Sequence, residues 1–336
     1  MKKSMTNISS IFSLRAIAVI LVVLFHLKPK FFLNGFVGVD IFFVISGYLI
    51  TKIFDDKNFS IRKEYFIRRI KRIFPSLIIV VFVSLILGFF ILSPNHFQDL
   101  LNQVKYSLIG LSNFYFYFNT DYFGIEGLFR PLLHLWTIGL EIQFYLFFPF
   151  LIFLSNFFKF NLKKIVLIIF ILLIFLNYLN KLYIDQNQNL FFYLHLRFYE
   201  FLFGSIAFFY KDLLKKILPS FSIYFAYFIL IMMFTNLNLF NMNIFFIQIL
   251  PISFATIIII LKGDINKKLI NNFLLKYIGK ISYSMYLVHY PIIVFYKYIF
   301  VIHLNHWDFL LQIILILFAS AASFYFVESR FYDFKK

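Results

Sequence analysis

Apolar residues in this chain come in long runs broken by short charged or turn-rich stretches. An α-helix rises ~1.5 Å per residue, so ~20 apolar residues cross the ~30 Å hydrocarbon layer of a bilayer. Reading the runs between breaks predicts ten membrane spans, near 11-28, 36-54, 73-93, 133-155, 164-180, 189-210, 219-235, 244-262, 281-301 and 307-327. The run 102-118 is also apolar, but counting it would give eleven spans and reverse the charge pattern described next. We read it as interfacial or re-entrant. The expected fold class is therefore all-α, a polytopic transmembrane helix bundle, with residues 1-336 forming a single integral-membrane domain. Gly/Ser linkers and internal repeats are not apparent.

Charge then orients the spans, because cytoplasmic loops carry the excess of Lys and Arg. With the N-terminus inside, all but seven of the 32 basic residues fall on the inner side; the seven are Lys28, Lys30, Lys105, Arg130, Lys181, Arg197 and Lys297. An even number of spans with both termini cytoplasmic fits this distribution. The composition agrees, with 62% hydrophobic and only 14% charged residues. Topology and attraction to anionic lipid account for the net charge of +17, so membrane lipid is the expected partner and nucleic acid is not. The absence of cysteine rules out disulfides, thiolate metal sites and a cysteine nucleophile. The start resembles a signal peptide, yet no small-x-small cleavage site follows it, and it is read as an uncleaved first span.

Ionisable residues inside these spans are the candidate chemistry, since a charge near the bilayer centre costs roughly 2.5 to 3.5 kcal/mol. Arg15 and His26 lie eleven residues apart on the first span. At ~100° per residue that is about three turns, so both occupy one face at opposite depths. A snorkelling arginine with an interfacial histidine would give the same spacing. Asp40 opens the second span after a short loop and can reach His26, where a carboxylate would fix the imidazole tautomer that a general base needs. Gly35, Gly38, Ser46 and Gly47 allow close helix approach or substrate entry. The fourth span carries His134, Thr137, Glu141 and Gln143, with His134 and Glu141 two turns apart on one face. Short metal-ligand spacings are missing, so no metal is expected; a structural hydrogen-bond network is the competing reading. Arg68, Arg69 and Arg72 precede Pro75 at the start of the third span. They serve either as a positive-inside anchor or as a phosphate site for a nucleotide-bearing donor arriving from the cytoplasm, the compartment that Arg15 also faces. Arg197 and Glu200 can pair on the sixth span, and His289 precedes Pro291 inside the ninth.

These blocks also share an order. Arg15 with His26, Gly-Val-Asp40-Ile-Phe-Phe-Val-Ile-Ser-Gly, Arg68-Arg69-x-x-Arg72-Ile-x-Pro75, His134-Leu-Trp136-Thr-x-x-x-Glu141-x-Gln143-Phe-Tyr, Gly279-Lys-Ile-Ser282-Tyr-Ser-x-Tyr-Leu-Val-His289-Tyr-Pro291 and the closing Tyr-Phe-Val-Glu328 together resemble acyltransferase family 3. The resemblance covers almost the whole chain. It implies a ten-span enzyme of the bacterial cytoplasmic membrane that moves an acyl group, usually acetyl, from cytoplasmic acyl-CoA to a hydroxyl of an extracytoplasmic glycan. O-antigen, capsule, exopolysaccharide and lipid-linked saccharides are such acceptors. By resemblance Arg15 and His26 are essential, Glu141 is the acid of its block, and Arg68 and Arg69 lie on the donor side. The chain departs from the family at Thr137, where Ser is usual, at Ile142, where a second acid is frequent, and at Val288 and Tyr290, where Trp is usual. Many relatives carry an appended esterase-like domain, and this sequence shows none.

The expected catalytic residues are thus His26, Asp40, Glu141 and His134, with Arg15, Arg68, Arg69 and Arg72 holding acetyl-CoA or another short acyl-CoA. The expected chemistry is general-base attack of the acceptor hydroxyl on the thioester, by direct transfer or through an acyl-enzyme. A glycan or glycolipid transporter would show a similar number of spans and intramembrane ions, and would differ in moving its substrate unchanged.

Overall fold

The computed structural model describes residues 2–55, 63–119, 129–183, 192, 195–232, 244–261, 272–300 and 306–332. Among these residues the secondary structure is helical throughout. The helices are α1 (Lys2–Leu27), α2 (Gly38–Asp55), α3 (Lys63–Ile91), α4 (Pro94–Leu108), α5 (Ser112–Asn119), α6 (Trp136–Phe157) and α7 (Leu162–Tyr183). They continue with α8 (His195–Phe209), α9 (Lys211–Ile217), α10 (Ser222–Met232), α11 (Ile244–Leu261), α12 (Phe273–Ile299) and α13 (His306–Ser323). Beyond α13 the chain passes through a π-helical turn, Phe324–Glu328.

Each of the ten expected spans overlaps a described helix, several of which extend beyond the span. Among the described residues five stretches are long and apolar enough to cross a membrane: Leu33–Asp55, Glu64–Ile91, Leu133–Phe157, Leu162–Asn180 and His306–Phe331. A sixth is added if α9 and α10, bent by 99° at their break, count as one. Ile11–Leu27 and Gln248–Leu261 are apolar but shorter. Basic positions 57, 62, 262, 267 and 268, which entered the charge argument, lie outside the described residues.

The run 102-118 is two helices, not one. Ser93 caps α4 with Pro94 in its first turn, a favoured helix start. The chain then breaks between α4 and α5 at Gly110, whose φ of +75° is a left-handed conformation that suits a residue without Cβ. Neither piece is long enough to span hydrocarbon.

The helices group into two compact units. The first combines Met1–Phe59, Ser155–Phe170 and Tyr199–Ser282. Its close packing depends on missing side chains. A Cβ on Gly35 or Gly38 would overlap the α1 carbonyls of Leu21 or Ala18, and Gly47 of α2 and Gly204 of α8 abut the backbones of Phe201 and Val44 reciprocally. Phe43 stacks on Phe201 with ring centres 4.4 Å apart, filling the layer beside that contact.

The second unit combines Ser60–Leu154, Ile171–Phe198 and Tyr283–Lys336. Here α4 and α5 dock on α6 through polar groups. Gln143 Nε2 donates to the Gly110 carbonyl and to Asn113 Oδ1, each at 2.8 Å, and Ser112 donates to the Leu135 carbonyl at 2.7 Å. Gly139 leaves room for Ser112.

Candidate active-site residues

In the first unit Arg15 is 7% exposed, and its Nε donates to Ser282 Oγ at 3.0 Å. Ser282 in turn donates to the Gly279 carbonyl. Gly279 makes the approach possible, because a Cβ there would overlap the backbone of Phe12. The guanidinium is thus drawn into the protein.

His26 is half-buried near the end of α1. Its Nδ1 lies 2.9 Å from the Val22 carbonyl one turn earlier. A carbonyl only accepts, so Nδ1 carries the proton in this bond and the lone pair resides on Nε2. That is the tautomer of a general base acting through Nε2. Asp40 is 1% exposed in the first turn of α2, where the helix N-terminus favours a carboxylate. The glycine contacts of Gly35 and Gly38 seat this end of α2 against Ala18, Leu21, Val22 and Phe25, the stretch of α1 that leads to His26.

The second unit holds two clusters. In one, the Arg69 guanidinium lies over the rings of Tyr145, at 4.8 Å, and Tyr65, at 5.5 Å. Tyr145 donates a short hydrogen bond to Glu141. Arg72 lies over Tyr332 and within electrostatic reach of both Glu141 and Glu328. Glu328, 1% exposed in the π turn, accepts from Ser284 at 2.6 Å. Arg68 is exposed on α3. Two arginines and two carboxylates thus gather among tyrosines.

In the other cluster His134, 2% exposed, places Nε2 3.1 Å from the Leu287 carbonyl. Pro291 has no N–H, so α12 cannot satisfy that carbonyl in the usual way and His134 serves it instead. The His134 ring also packs edge-on against His289, with centres 5.4 Å apart. His289 is fully buried, with Nδ1 2.6 Å from the Tyr286 carbonyl. Thr137 Oγ1 shares hydrogens with Tyr286 Oη at 2.7 Å, and Tyr286 donates to the His134 carbonyl at 3.0 Å. The hydroxyl kept at 137 thus ties α6 to α12. The same proline logic recurs where Pro149 interrupts α6: Tyr65 Oη donates to the Tyr145 carbonyl at 3.3 Å.

Among the sequence candidates, the structure joins Glu141 to the Arg69 and Arg72 cluster, while the partners shown for His134 come from α12. Arg197 is buried with its guanidinium over Trp136. Among the described residues no group of three His, Cys, Asp or Glu side chains is placed to hold a metal ion. Sequence reasoning did not select Tyr145, Glu328, Ser282 or Tyr286 as site residues. Tyr145 stands one turn after Glu141, and the other three lie in blocks already singled out, so a helical-face count could have found Tyr145.

Near Arg130 a separate network closes on itself. Arg130 pairs with Asp99 at 3.0 Å, Gln103 donates to the same oxygen at 2.7 Å, and Tyr115 donates to the other. It ties α4 and α5 to the segment entering α6.

The model of the acyltransferase domain of acyltransferase family 3 matches residues 8–328. The O-acetyltransferase OatA of Staphylococcus aureus is 32% identical over 337 residues, covering 94% of this chain and 56% of that protein. The peptidoglycan O-acetyltransferase OatA of Listeria monocytogenes is 42% identical over 147 residues, covering 42% of this chain and 24% of that protein. The chain thus spans about half the length of the Staphylococcus relative. No solved structure matches it.

Proposed function

Because this chain belongs to acyltransferase family 3, we propose that it is an O-acetyltransferase that crosses the bacterial cytoplasmic membrane ten times, with both termini cytoplasmic, and esterifies an extracytoplasmic glycan. The donor is acetyl-CoA or another short acyl-CoA. The observation that carries the reading is the His26 imidazole, held by the Val22 carbonyl in the tautomer that presents a basic Nε2. In the reaction, His26 Nε2 takes the proton of the acceptor hydroxyl as that oxygen attacks the thioester carbonyl. The tetrahedral intermediate collapses with cleavage of the C–S bond, and the imidazolium returns its proton to the leaving thiolate. Base assistance of this kind contributes ~100 to 10,000-fold.

Asp40, at the start of α2, acts as a positioning residue for this end of α1. Arg69 and Arg72 hold donor phosphates, with Arg68 at the exposed approach; the family resemblance assigns Arg15 a part in donor binding as well. Glu141, bonded to Tyr145 beside these arginines, helps to orient them. His134 joins α6 to α12 and lines the acceptor side. The Listeria relative's name points to peptidoglycan as one acceptor, and O-antigen, capsule, exopolysaccharide or a lipid-linked saccharide are the others.

The test compares cells carrying the wild-type chain, His26→Ala, or no copy, with membrane levels of the two proteins matched by blot. Ester-linked acetate is released by mild alkali from purified peptidoglycan and from surface polysaccharide. Esters that appear only with the wild type, in either fraction, support the proposal. Esters that persist in His26→Ala remove His26 as the base, and identical fractions from all three strains remove the acceptor class.

A further inference from the structure

In the second unit a groove of about 820 Å³ runs between α3, α12 and α13, open along its length. That is the size of a pocket for a sizeable ligand. Ile79, Val83 and Leu87 form one wall, Leu315 and Phe318 the other, and Ala319 and Ala322 keep the floor low. The lining is hydrocarbon almost throughout. Ser84, one of its few hydroxyl-bearing residues, donates back to the Val80 carbonyl in its own helix at 2.8 Å. Ser323 adds a single hydroxyl at the floor.

Two of the three helices that form the groove belong to stretches long and apolar enough to span a membrane, Glu64–Ile91 and His306–Phe331. The groove therefore opens at hydrocarbon depth. Water does not fill such a space, because a buried water needs two to four polar partners. Emptiness is also unfavourable, since lining atoms lose their dispersion contacts. At one end the surroundings change. Tyr296 donates to Asp308 Oδ1 at 2.6 Å, and Lys297 follows on α12. An apolar channel with polar groups gathered at one end matches an amphiphile lying lengthwise. The α12 part of the lining, Val288 and Pro291, also brackets His289, the partner of His134.

We propose that this groove is a binding site for the acyl chain of a membrane phospholipid, seated with its head group toward Tyr296 and Asp308. The bound chain is a resident that packs against the α12 segment carrying the histidine pair, and it differs from the lipid that exchanges freely over the exposed face of α7. The inference rests on the membrane reading, and its test does not depend on acyl transfer.

The experiment reconstitutes the full chain in nanodiscs of phosphatidylethanolamine and phosphatidylglycerol doped with a phosphatidylglycerol bearing a photoreactive diazirine in one acyl chain. Cross-linked residues are mapped by mass spectrometry in the wild type, in Ala319→Trp/Ala322→Trp, which fills the groove from its floor, and in Ile79→Trp, which fills it from the opposite wall. Thermal unfolding identifies any variant that fails to fold, so the remaining filler still decides. Labelling of the groove residues severalfold above the exposed positions 168, 171 and 175 of α7, lost severalfold in a folded filler variant, supports the site. Even labelling of groove and α7, or labelling that survives filling, overturns it. Competition by undecaprenyl phosphate but not by unlabelled phospholipid overturns the choice of occupant, as do cross-links between two copies of the chain through this face.

Discussion

His134 reaches a carbonyl that its own helix cannot serve, and this gives the residue a measurable structural role apart from any chemistry. His134→Phe keeps an aromatic ring but leaves the Leu287 carbonyl short of a donor, which costs about 1 to 3 kcal/mol. In a Pro291→Ala background the helix regains an N–H one turn on from Leu287, so the same His134→Phe change is expected to cost less. A double-mutant cycle of detergent unfolding midpoints measures the difference, and equal losses in both backgrounds would sink the account. At Arg15 the partner is explicit: Ser282→Ala is expected to destabilise by about 1 to 2 kcal/mol, while Ser282→Thr retains most of the stability. Individual residues were legible in sequence as far as helical spacing reaches. Arg15, His26, His134 and Glu141 stood out as polar groups in apolar runs. The partners of Arg15 and His134 did not, because Ser282 and Leu287 come from α12 and only folding brings them near.

At the scale of elements, the helix contacts that matter most are those where a side chain is missing. Gly47 and Gly204 place α2 and α8 backbone against backbone, so Gly47→Val is expected to lower the unfolding midpoint more than Gly110→Ala. The first forces two helices apart, a penalty of about 1 to 3 kcal/mol or more. The second strains one left-handed residue, at about 1 to 2 kcal/mol. Parallel unfolding curves of the two variants decide the order. The sequence pattern marked 102-118 as apolar but awkward, and charge argued against a span. It did not locate the break, since Gly110 alone does not announce a left-handed turn; the turn is recognised once Gln143 is seen donating to its carbonyl.

For the whole molecule, the order of motif blocks was the most legible property, and it survives as membership of the family across residues 8–328. The span count was less so. Hydropathy finds runs, but α8 has 15 residues and α10 has 11, and helices that short do not declare themselves as crossings by length alone. The division into two units was invisible, because the chain leaves and re-enters each unit and α6, α7, α8 and α12 each belong to both. Neither unit is a continuous stretch, and a chain stopped after Leu261 is expected to be degraded within the membrane fraction; pulse-chase labelling of the full and stopped chains checks this. Contact between Arg15 and Ser282 has a related consequence in time. The two residues are 267 positions apart, so at ~5 to 20 residues per second of synthesis the first helix waits roughly 13 to 50 s for that partner to be made. Over that interval the nascent chain carries a charged group whose final lodging does not yet exist, so Arg15 is secured only late in synthesis, and an insertion factor has it to protect until then.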